Sequence, residues 1–282
     1  MSLCSSRLRI FILIGILFLS VSSVYAQNAE DYYNRGLAYF YQDNLPQAIV
    51  EFTKAIEINP NYAEAYNSRG DAYNRQGHFI HAIADYTKAF GIEPDLIVAH
   101  YNSGLAYFYQ GNFTQAIADY TKAIEISPDF AEAYFGRGGA YFYQDNFTQA
   151  IAEFTKAIEI NPNLAIAYYS RGGAYFYQDN FTQAIADYTK LIEIKPNFAA
   201  AYYSRGGIYS RQDNFTQAIV DYTKAIEINP DFAEAYYSRG NAYYELEDYD
   251  KAWLDVHKAE ELGYAVNPEF LNALKKASGR DS

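Results

Sequence analysis

The chain has 282 residues, of which 34 are acidic and 22 are basic, so its formal net charge is −12 at pH 7. A surface of this sign repels phosphate backbones and excludes nucleic acid as the expected partner. Cys4 is the only cysteine, which excludes an internal disulfide framework and, beyond the first residues, a catalytic cysteine.

The first 26 residues differ in composition from the rest of the chain. Arg7 and Arg9 precede an apolar run at 10–19, and a small-x-small ending closes at Ala26. This order of basic, apolar and small residues predicts a secretory signal peptide at 1–26, cleaved after its last residue. We therefore expect an exported protein, either in the bacterial periplasm or secreted. The alternative is an uncleaved signal that anchors the chain in a membrane.

From residue 29 onward the chain repeats itself. Six prolines follow one another at a constant step of 34 residues: Pro60, Pro94, Pro128, Pro162, Pro196 and Pro230. A period of this size predicts stacked repeats with one continuous core. Each repeat has an apolar segment of helical periodicity, a polar turn and a second such segment, which together predict a helical hairpin. The seven predicted repeats are 29–62, 63–96, 97–130, 131–164, 165–198, 199–232 and 233–266.

Short signals mark where the predicted helices begin. Asn61, Asp129 and Asp231 are each followed three residues later by glutamate, the spacing of a capping box, and so predict the starts of leading helices. The seventh repeat lacks the proline at its end, and Pro268 begins one more amphipathic segment. We predict a capping helix at 267–278 that closes the end of the apolar core.

Most repeats carry the same small set of glycine, alanine, aromatic and proline positions. In the fourth repeat these are Tyr134, Gly138, Tyr141, Ala150, Phe154 and Pro162. Together they resemble the pattern of the tetratricopeptide repeat, and the resemblance covers residues 29–266. It implies an all-α fold, a right-handed α-solenoid of seven 34-residue helix-turn-helix repeats with a C-terminal capping helix. It also implies a non-catalytic scaffold.

One position departs from the family pattern, which has leucine where this chain has arginine in six of seven repeats. The arginines are Arg35, Arg69, Arg137, Arg171, Arg205 and Arg239, and the third repeat has Ser103. Because this position falls on the buried arc of the leading helix, each charge needs a partner. Acids of the second helix predict a structural ladder of arginine–carboxylate pairs, with a ligand-binding role as the alternative: Glu51, Asp85, Glu153, Asp187, Asp221 and Asp255.

The opposite arc of each leading helix contains positions two, five, nine, twelve and thirteen of the repeat. The family resemblance implies that this arc lines a concave groove. Glycines at 139, 173 and 207 leave room there for a ligand backbone. We predict that the groove binds its ligand through aromatic side chains and two bordering arginines: Tyr101, Phe108, Tyr109, Phe135, Phe142, Tyr143, Tyr169, Phe176, Tyr177, Tyr203, Arg75 and Arg211. The alternative is that these aromatics pack mainly on neighbouring repeats.

The polar residues form no convincing catalytic set. His78, His81 and Asp85 could share one helix face as metal ligands, but the aspartate recurs in repeats without histidine. Four Asn-Phe-Thr triplets match the N-glycosylation pattern at a turn where asparagine also caps the following helix; they begin at Asn112, Asn146, Asn180 and Asn214. We predict no catalytic residue, no metal site and no cofactor.

The aromatic arc favours a binding function. Aromatic and arginine side chains are the usual anchors of protein interfaces, so we expect an exported scaffold that holds a segment of another protein or a peptide in the groove. The alternative is a saccharide-binding scaffold of a cell-envelope polymer assembly or export system, because tyrosine rings also stack on sugars.

Overall fold

The computed structural model describes residues 28–280, and the predicted signal peptide at 1–26 lies outside them. Within this range the chain forms fifteen α-helices and no strand, which confirms the predicted all-α fold. The helices belong to two compact units that divide between Ile126 and Ser127.

The first unit contains six helices in three consecutive pairs, each a leading helix followed by a second helix. They are α1 (Ala29–Tyr41), α2 (Leu45–Ile58), α3 (Ala63–Arg75), α4 (Phe79–Ile92), α5 (Ile97–Tyr109) and α6 (Phe113–Ile126). The second unit contains four such pairs and one further helix. They are α7 (Ala131–Tyr143), α8 (Phe147–Ile160), α9 (Ala165–Tyr177), α10 (Phe181–Ile194), α11 (Ala199–Arg211), α12 (Phe215–Ile228), α13 (Ala233–Glu245), α14 (Tyr249–Glu261) and α15 (Pro268–Ser278).

The turn inside each hairpin takes three residues, and its middle residue often has a left-handed backbone. Gly77 and Gly111 have φ of 75° and 80°, and Asp145 has φ of 58°; glycine and aspartate tolerate this conformation best. In four hairpins the following asparagine caps the second helix, as where Asn146 Oδ1 accepts the backbone N–H of Gln149 at 3.3 Å. These turns therefore stop one helix and start the next within a few residues.

The predicted capping boxes of the leading helices are wrong. Helices α3, α7 and α13 have Tyr62, Phe130 and Phe232 at the N-cap, without a side-chain cap. Asn61 lies one residue before the N-cap, and its backbone N–H bonds to Asn59 Oδ1 at 3.1 Å in the turn around the proline. This turn therefore places an aromatic residue at the position that the sequence pattern assigned to the polar residue.

In the first six hairpins the core lies where a glycine of the leading helix meets a ring of the second helix. A Cβ atom on Gly138 would lie 2.8 Å from the Phe154 ring, and one on Gly206 would lie 2.9 Å from the Tyr222 ring. Phe154 and Tyr222 are 1% and 3% exposed. The small residue is thus required by helix packing at this position.

The predicted ladder of arginine–carboxylate pairs is confirmed. All six pairs form, with nitrogen–oxygen distances of 2.7–2.8 Å. Several of the arginines also donate to a threonine of the preceding hairpin, as Arg205 Nη1 does to Thr189 Oγ1 at 2.8 Å and Arg171 Nη1 to Thr155 Oγ1 at 2.9 Å. The ladder therefore ties neighbouring hairpins together as well as the two helices of one hairpin.

The ladder is interrupted in the third hairpin, where Ser103 replaces arginine. Among the described residues, Asp119 Oδ2 is buried without a hydrogen-bond partner. Burial raises the pKa of the Asp119 carboxyl. The neighbouring His100 occupies the place of the recurring tyrosine and stacks on Phe90, with ring centroids 4.4 Å apart. This hairpin thus keeps the acid of the ladder without its cation.

Changing Ser103 to arginine is expected to raise the free energy of unfolding by about 1–3 kcal/mol, because a guanidinium would pair with a buried carboxylate. Urea unfolding followed by circular dichroism measures the change. The same substitution in an Asp119→Asn background removes the anion and should yield no gain. An equal gain in both backgrounds would mean that the stabilisation does not come from the ion pair.

Candidate functional site

The most exposed aromatic side chains of the second unit's predicted site lie at the ends of leading helices. Tyr143, at the end of α7, is 64% exposed, and Tyr177, at the end of α9, is 60% exposed. The Tyr177 ring stacks on Phe147, with centroids 5.0 Å apart and planes within 5°, and Phe142 meets it edge-on at 5.6 Å. Its orientation is therefore set by the preceding hairpin while much of the ring faces solvent.

Half-buried phenylalanines lie next to these exposed tyrosines and pack against the second helices. Phe142 contacts the Phe147 ring at 5.3 Å, and Phe176 contacts the Phe181 ring at 6.0 Å. Both are partly buried. We call Phe142, Tyr143, Phe147, Phe176 and Tyr177 the aromatic face.

The aromatic side chains at position five are more buried than the tyrosines at position thirteen. Phe135, Tyr169 and Tyr203 lie 5.6–5.8 Å from a ring of their own second helix. Tyr203 also contacts Phe232 at 4.9 Å. These three side chains are partly buried, and their contacts fit the alternative in which aromatics pack on the repeats with their rims exposed. As ligand-binding residues they stay a prediction.

Arg211 ends helix α11 with an exposed side chain. Its guanidinium carbon lies 4.8 Å from the centre of the Phe176 ring, which holds the charge beside the aromatic face by a cation–π contact. Within the part of the chain that the structure describes, no carboxylate forms an ion pair with it. The aromatic face is thus bordered at α11 by an available cation.

Glycines at position nine leave an open strip next to the aromatic face. A Cβ atom on Gly173 would lie 3.9 Å from Phe142 and from the Tyr188 hydroxyl, and one on Gly207 would lie 3.9 Å from the Tyr222 hydroxyl. These are ordinary contacts, so packing does not require glycine there. Glycine costs a helix interior about 1 kcal/mol relative to alanine, so these positions lack helix stability that alanine would add, and the surface beside them is open. We call Gly173 and Gly207 the glycine floor.

The predicted site residues of the first unit have different surroundings. Tyr109 is 62% exposed and stacks on Phe79 at 6.1 Å, but the positions of the glycine floor are held here by Leu37, Asp71 and Leu105. Tyr101 packs on Tyr120 at 5.8 Å, and Phe108 packs on Phe113 at 5.4 Å.

Arg75 is the first unit's counterpart of Arg211. It lies over Phe40 at 4.3 Å and pairs with Asp43 at 3.6 Å. Its charge is therefore partly neutralised within the protein. Among the predicted site residues, those of the second unit therefore combine the glycine floor with an arginine that forms no ion pair with any described residue.

Sequence reasoning missed three exposed apolar side chains on the leading helices. Val98 and Ile166, at position two, are 49% and 43% exposed, and Tyr41, at position thirteen, is 80% exposed. Both positions belong to the arc of positions two, five, nine, twelve and thirteen on which the groove was predicted; we call it the candidate arc. The signal for them in the sequence is an aliphatic residue at position two and a tyrosine at position thirteen of the first repeat.

A polar cluster that the sequence analysis did not single out surrounds Asp71 in helix α3. Its Oδ1 accepts the Tyr86 hydroxyl at 2.8 Å and the Asn102 side-chain amide at 2.7 Å. Burial raises the pKa of the Asp71 carboxyl to about 6. The folded protein therefore binds a proton at this carboxyl more tightly than the unfolded chain does.

Changing Asp71 to asparagine is expected to stabilise the protein by about 2 kcal/mol at pH 8 and to change its stability little at pH 4. The folded pKa lies above the ordinary value near 3.9, so the native carboxyl stabilises the fold when protonated. That contribution is lost as pH rises through about 6. Urea unfolding across this range measures the effect, with Asp95→Asn at an exposed acid as the control. A parallel pH profile for D71N and the parent would contradict the assignment.

His78, the N-cap of helix α4, and His81 within the helix are not arranged with Asp85 as a metal site. His78 and His81 have ring centroids 6.1 Å apart, whereas Asp85 accepts two hydrogen bonds from Arg69 at 2.8 Å. Within residues 28–280, no group of three histidine, cysteine, aspartate or glutamate side chains is placed to hold a metal. Over the same residues, no helix has the length and apolar character needed to cross a bilayer.

Comparisons with known families and structures agree with the helical hairpins. A family described as TPR repeat matches residues 36–77, 104–145, 138–179, 172–213 and 206–247. A second family, described as tetratricopeptide repeat, matches residues 63–96. A comparison with curated protein sequences found no match.

Three solved structures illustrate the likeness. The C-terminal part of a TPR repeat-containing protein from Cytophaga hutchinsonii is 23% identical, with a TM-score of 0.72 over 86% of this chain and 99% of that chain. YrrB, described as a TPR protein with an unusual peptide-binding site, is 25% identical, with a TM-score of 0.56 over 65% and 95%. MamA is 31% identical, with a TM-score of 0.55 over 56% and 93%.

Proposed function

The chain belongs to the tetratricopeptide-repeat family, and from this we propose that it is an exported, non-catalytic scaffold that binds a segment of another protein on the aromatic face of its second unit. Repeats of this family generally serve as scaffolds for protein partners. The description of YrrB as having a peptide-binding site supports a peptide segment as the ligand.

The observation that carries this proposal is the exposure of Tyr143 and Tyr177 on a packed support. Each leaves about three fifths of its surface open. The Tyr177 ring is already held by Phe147. Binding to an aromatic side chain whose rotamer is fixed costs less ordering entropy than binding to a mobile one. Such residues are the usual hot spots of interfaces, and a few suffice for micromolar affinity.

Export is the second part of the proposal. It is supported by the composition of residues 1–26, where Arg7 and Arg9 precede an apolar run and a small-residue ending. The partner is then a protein of the periplasm, the cell envelope or the extracellular medium.

Replacing both Tyr143 and Tyr177 with alanine is expected to reduce partner capture from an envelope extract at least tenfold, because two anchors are removed together. The thermal midpoint should fall by only a few degrees, since both side chains are largely exposed. The matched control replaces Val220 and Leu254, which are 55% and 70% exposed on second helices of the same unit, and should retain capture.

Unchanged capture by the double tyrosine variant would contradict the proposal. So would collapse of the melting transition, because the tyrosines would then be core residues. Captured material that resists protease but is released by glycosidase would favour the saccharide-binding alternative, to which exposed tyrosine rings are also suited.

A further inference from the structure

Two adjacent glycines in each of helices α9 and α11 have different surroundings. A Cβ atom on Gly172 or Gly206 would lie 3.0 or 2.9 Å from a buried tyrosine ring, whereas one on Gly173 or Gly207 would meet nothing closer than 3.9 Å. The first glycine of each pair is demanded by packing. The second is not, and it keeps a strip of helix backbone uncovered.

The chain itself shows that the fold accepts a large side chain at the second position. Leu37 and Leu105 occupy the equivalent place in α1 and α5 and are partly buried there. The second unit therefore has an open floor where the first unit has side chains.

A strip without side chains lets the backbone of an extended chain approach more closely than the backbone of a helix can. A helix with its side chains is about 10–12 Å across, which keeps its own backbone away from the surface on which it lies. An extended segment can place its backbone directly on the floor while its side chains reach the flanking rings. Proline-containing segments already have this conformation in solution and dock on aromatic-lined grooves.

On the same arc, an uncharged stretch is bounded by one charged residue at each end. Between Glu132 in α7 and Arg211 in α11, the positions of the candidate arc hold only uncharged residues. Arg211 is exposed, lies over Phe176 and has no ion pair within the described residues. An uncharged segment with an acidic group near Arg211 complements this surface.

We propose, on the basis of the proposed function, that the partner segment is an extended, proline-containing peptide whose backbone lies on the glycine floor and whose acidic side chain reaches Arg211. The flanking rings of the aromatic face contact its proline rings, and the guanidinium contacts its carboxylate.

The test is isothermal titration of the protein with synthetic peptides at 0.15 M salt, where exposed charges more than about 8 Å apart are screened. The probe is an octaproline peptide with one aspartate at each end, acetylated at its N-terminus and amidated at its C-terminus. The matched probes replace both aspartates with lysine or all prolines with glycine and serine. We expect the aspartate–proline probe to bind at least threefold more tightly than the lysine form, despite the negative net charge of the protein. The glycine–serine form should bind at least tenfold more weakly.

Two variants connect this binding to the proposed residues. Gly173→Leu with Gly207→Leu should weaken the probe at least tenfold while circular dichroism and the melting midpoint stay close to those of the parent. Arg211→Gln should remove the preference for aspartate, whereas Arg75→Gln, at the equivalent place in the first unit, should leave it intact.

Three results would overturn the inference. They are absence of binding by the proline probe at 1 mM, binding that the double leucine variant leaves unchanged, and tighter binding of an amphipathic helical peptide or of chitohexaose. If partner capture from extract is lost in the double tyrosine variant but kept in the double leucine variant, the inference fails while the proposed function stands.

Discussion

Changing Arg205 to alanine is expected to lower the free energy of unfolding of the second unit by about 3–5 kcal/mol. Asp221 is only 2% exposed and accepts hydrogen bonds from Arg205 Nε and Nη2, both at 2.8 Å. Removing the guanidinium leaves this carboxylate buried without its cation. The substitution also breaks the 2.8 Å bond to Thr189 on the preceding hairpin. Urea unfolding followed by circular dichroism measures the loss.

The control lies on the same helix. Arg211→Ala removes an exposed guanidinium and should change stability by no more than about 0.5 kcal/mol. A second comparison, Arg205→Met with Asp221→Leu, removes both charges and should recover most of the loss, because apolar pairs often replace a buried ion pair without penalty. Equal effects of R205A and R211A would show that the ladder contributes little to stability.

Changing Gly206 to leucine is expected to destabilise the second unit by about 3 kcal/mol or more, whereas the same change at Gly207 should leave its stability within about 1 kcal/mol of the parent. At Gly206 the added Cβ would lie 2.9 Å from the Tyr222 ring and 3.3 Å from the Ala218 carbonyl oxygen. Neither group can move freely, since Tyr222 is 3% exposed and the oxygen belongs to a helix backbone.

At Gly207 the added atom would meet only the Tyr222 hydroxyl, at 3.9 Å, and leucine is a far better helix former than glycine. Thermal melting of the two variants side by side measures the difference. If both variants unfold, the floor is part of the core and its openness has no bearing on ligands. If both are tolerated, the close helix contact at Gly206 is not required.

The sequence was sufficient to predict what recurs with the period. The hairpins and the six arginine–carboxylate pairs each depend on residues that return every 34 positions, so one physical argument covers every copy that carries those residues. The partner of a buried arginine could be chosen because a charge at a core-facing position must be neutralised nearby. These features can be predicted without knowing the geometry of the turns between the helices.

Features that depend on turn geometry or on neighbouring hairpins were less accessible. The capping boxes failed because the turn after the proline places Tyr62, one residue beyond Asn61, at the N-cap. The bond from Arg205 to Thr189 joins two hairpins, and a single helical wheel does not show it. The exposed fraction of each aromatic residue also differs within the predicted arc: Tyr203, at position five, is partly buried, whereas Tyr177, at position thirteen, is largely exposed.

The most direct test of the central claim is hydroxyl-radical footprinting of the protein with and without its captured partner. We predict that the partner protects Tyr143, Tyr177 and Ile166 from oxidation, while Val220 and Leu254 on the second helices react as they do in the free protein. Protection of Val220 and Leu254 with unchanged oxidation of the two tyrosines would contradict binding on the aromatic face.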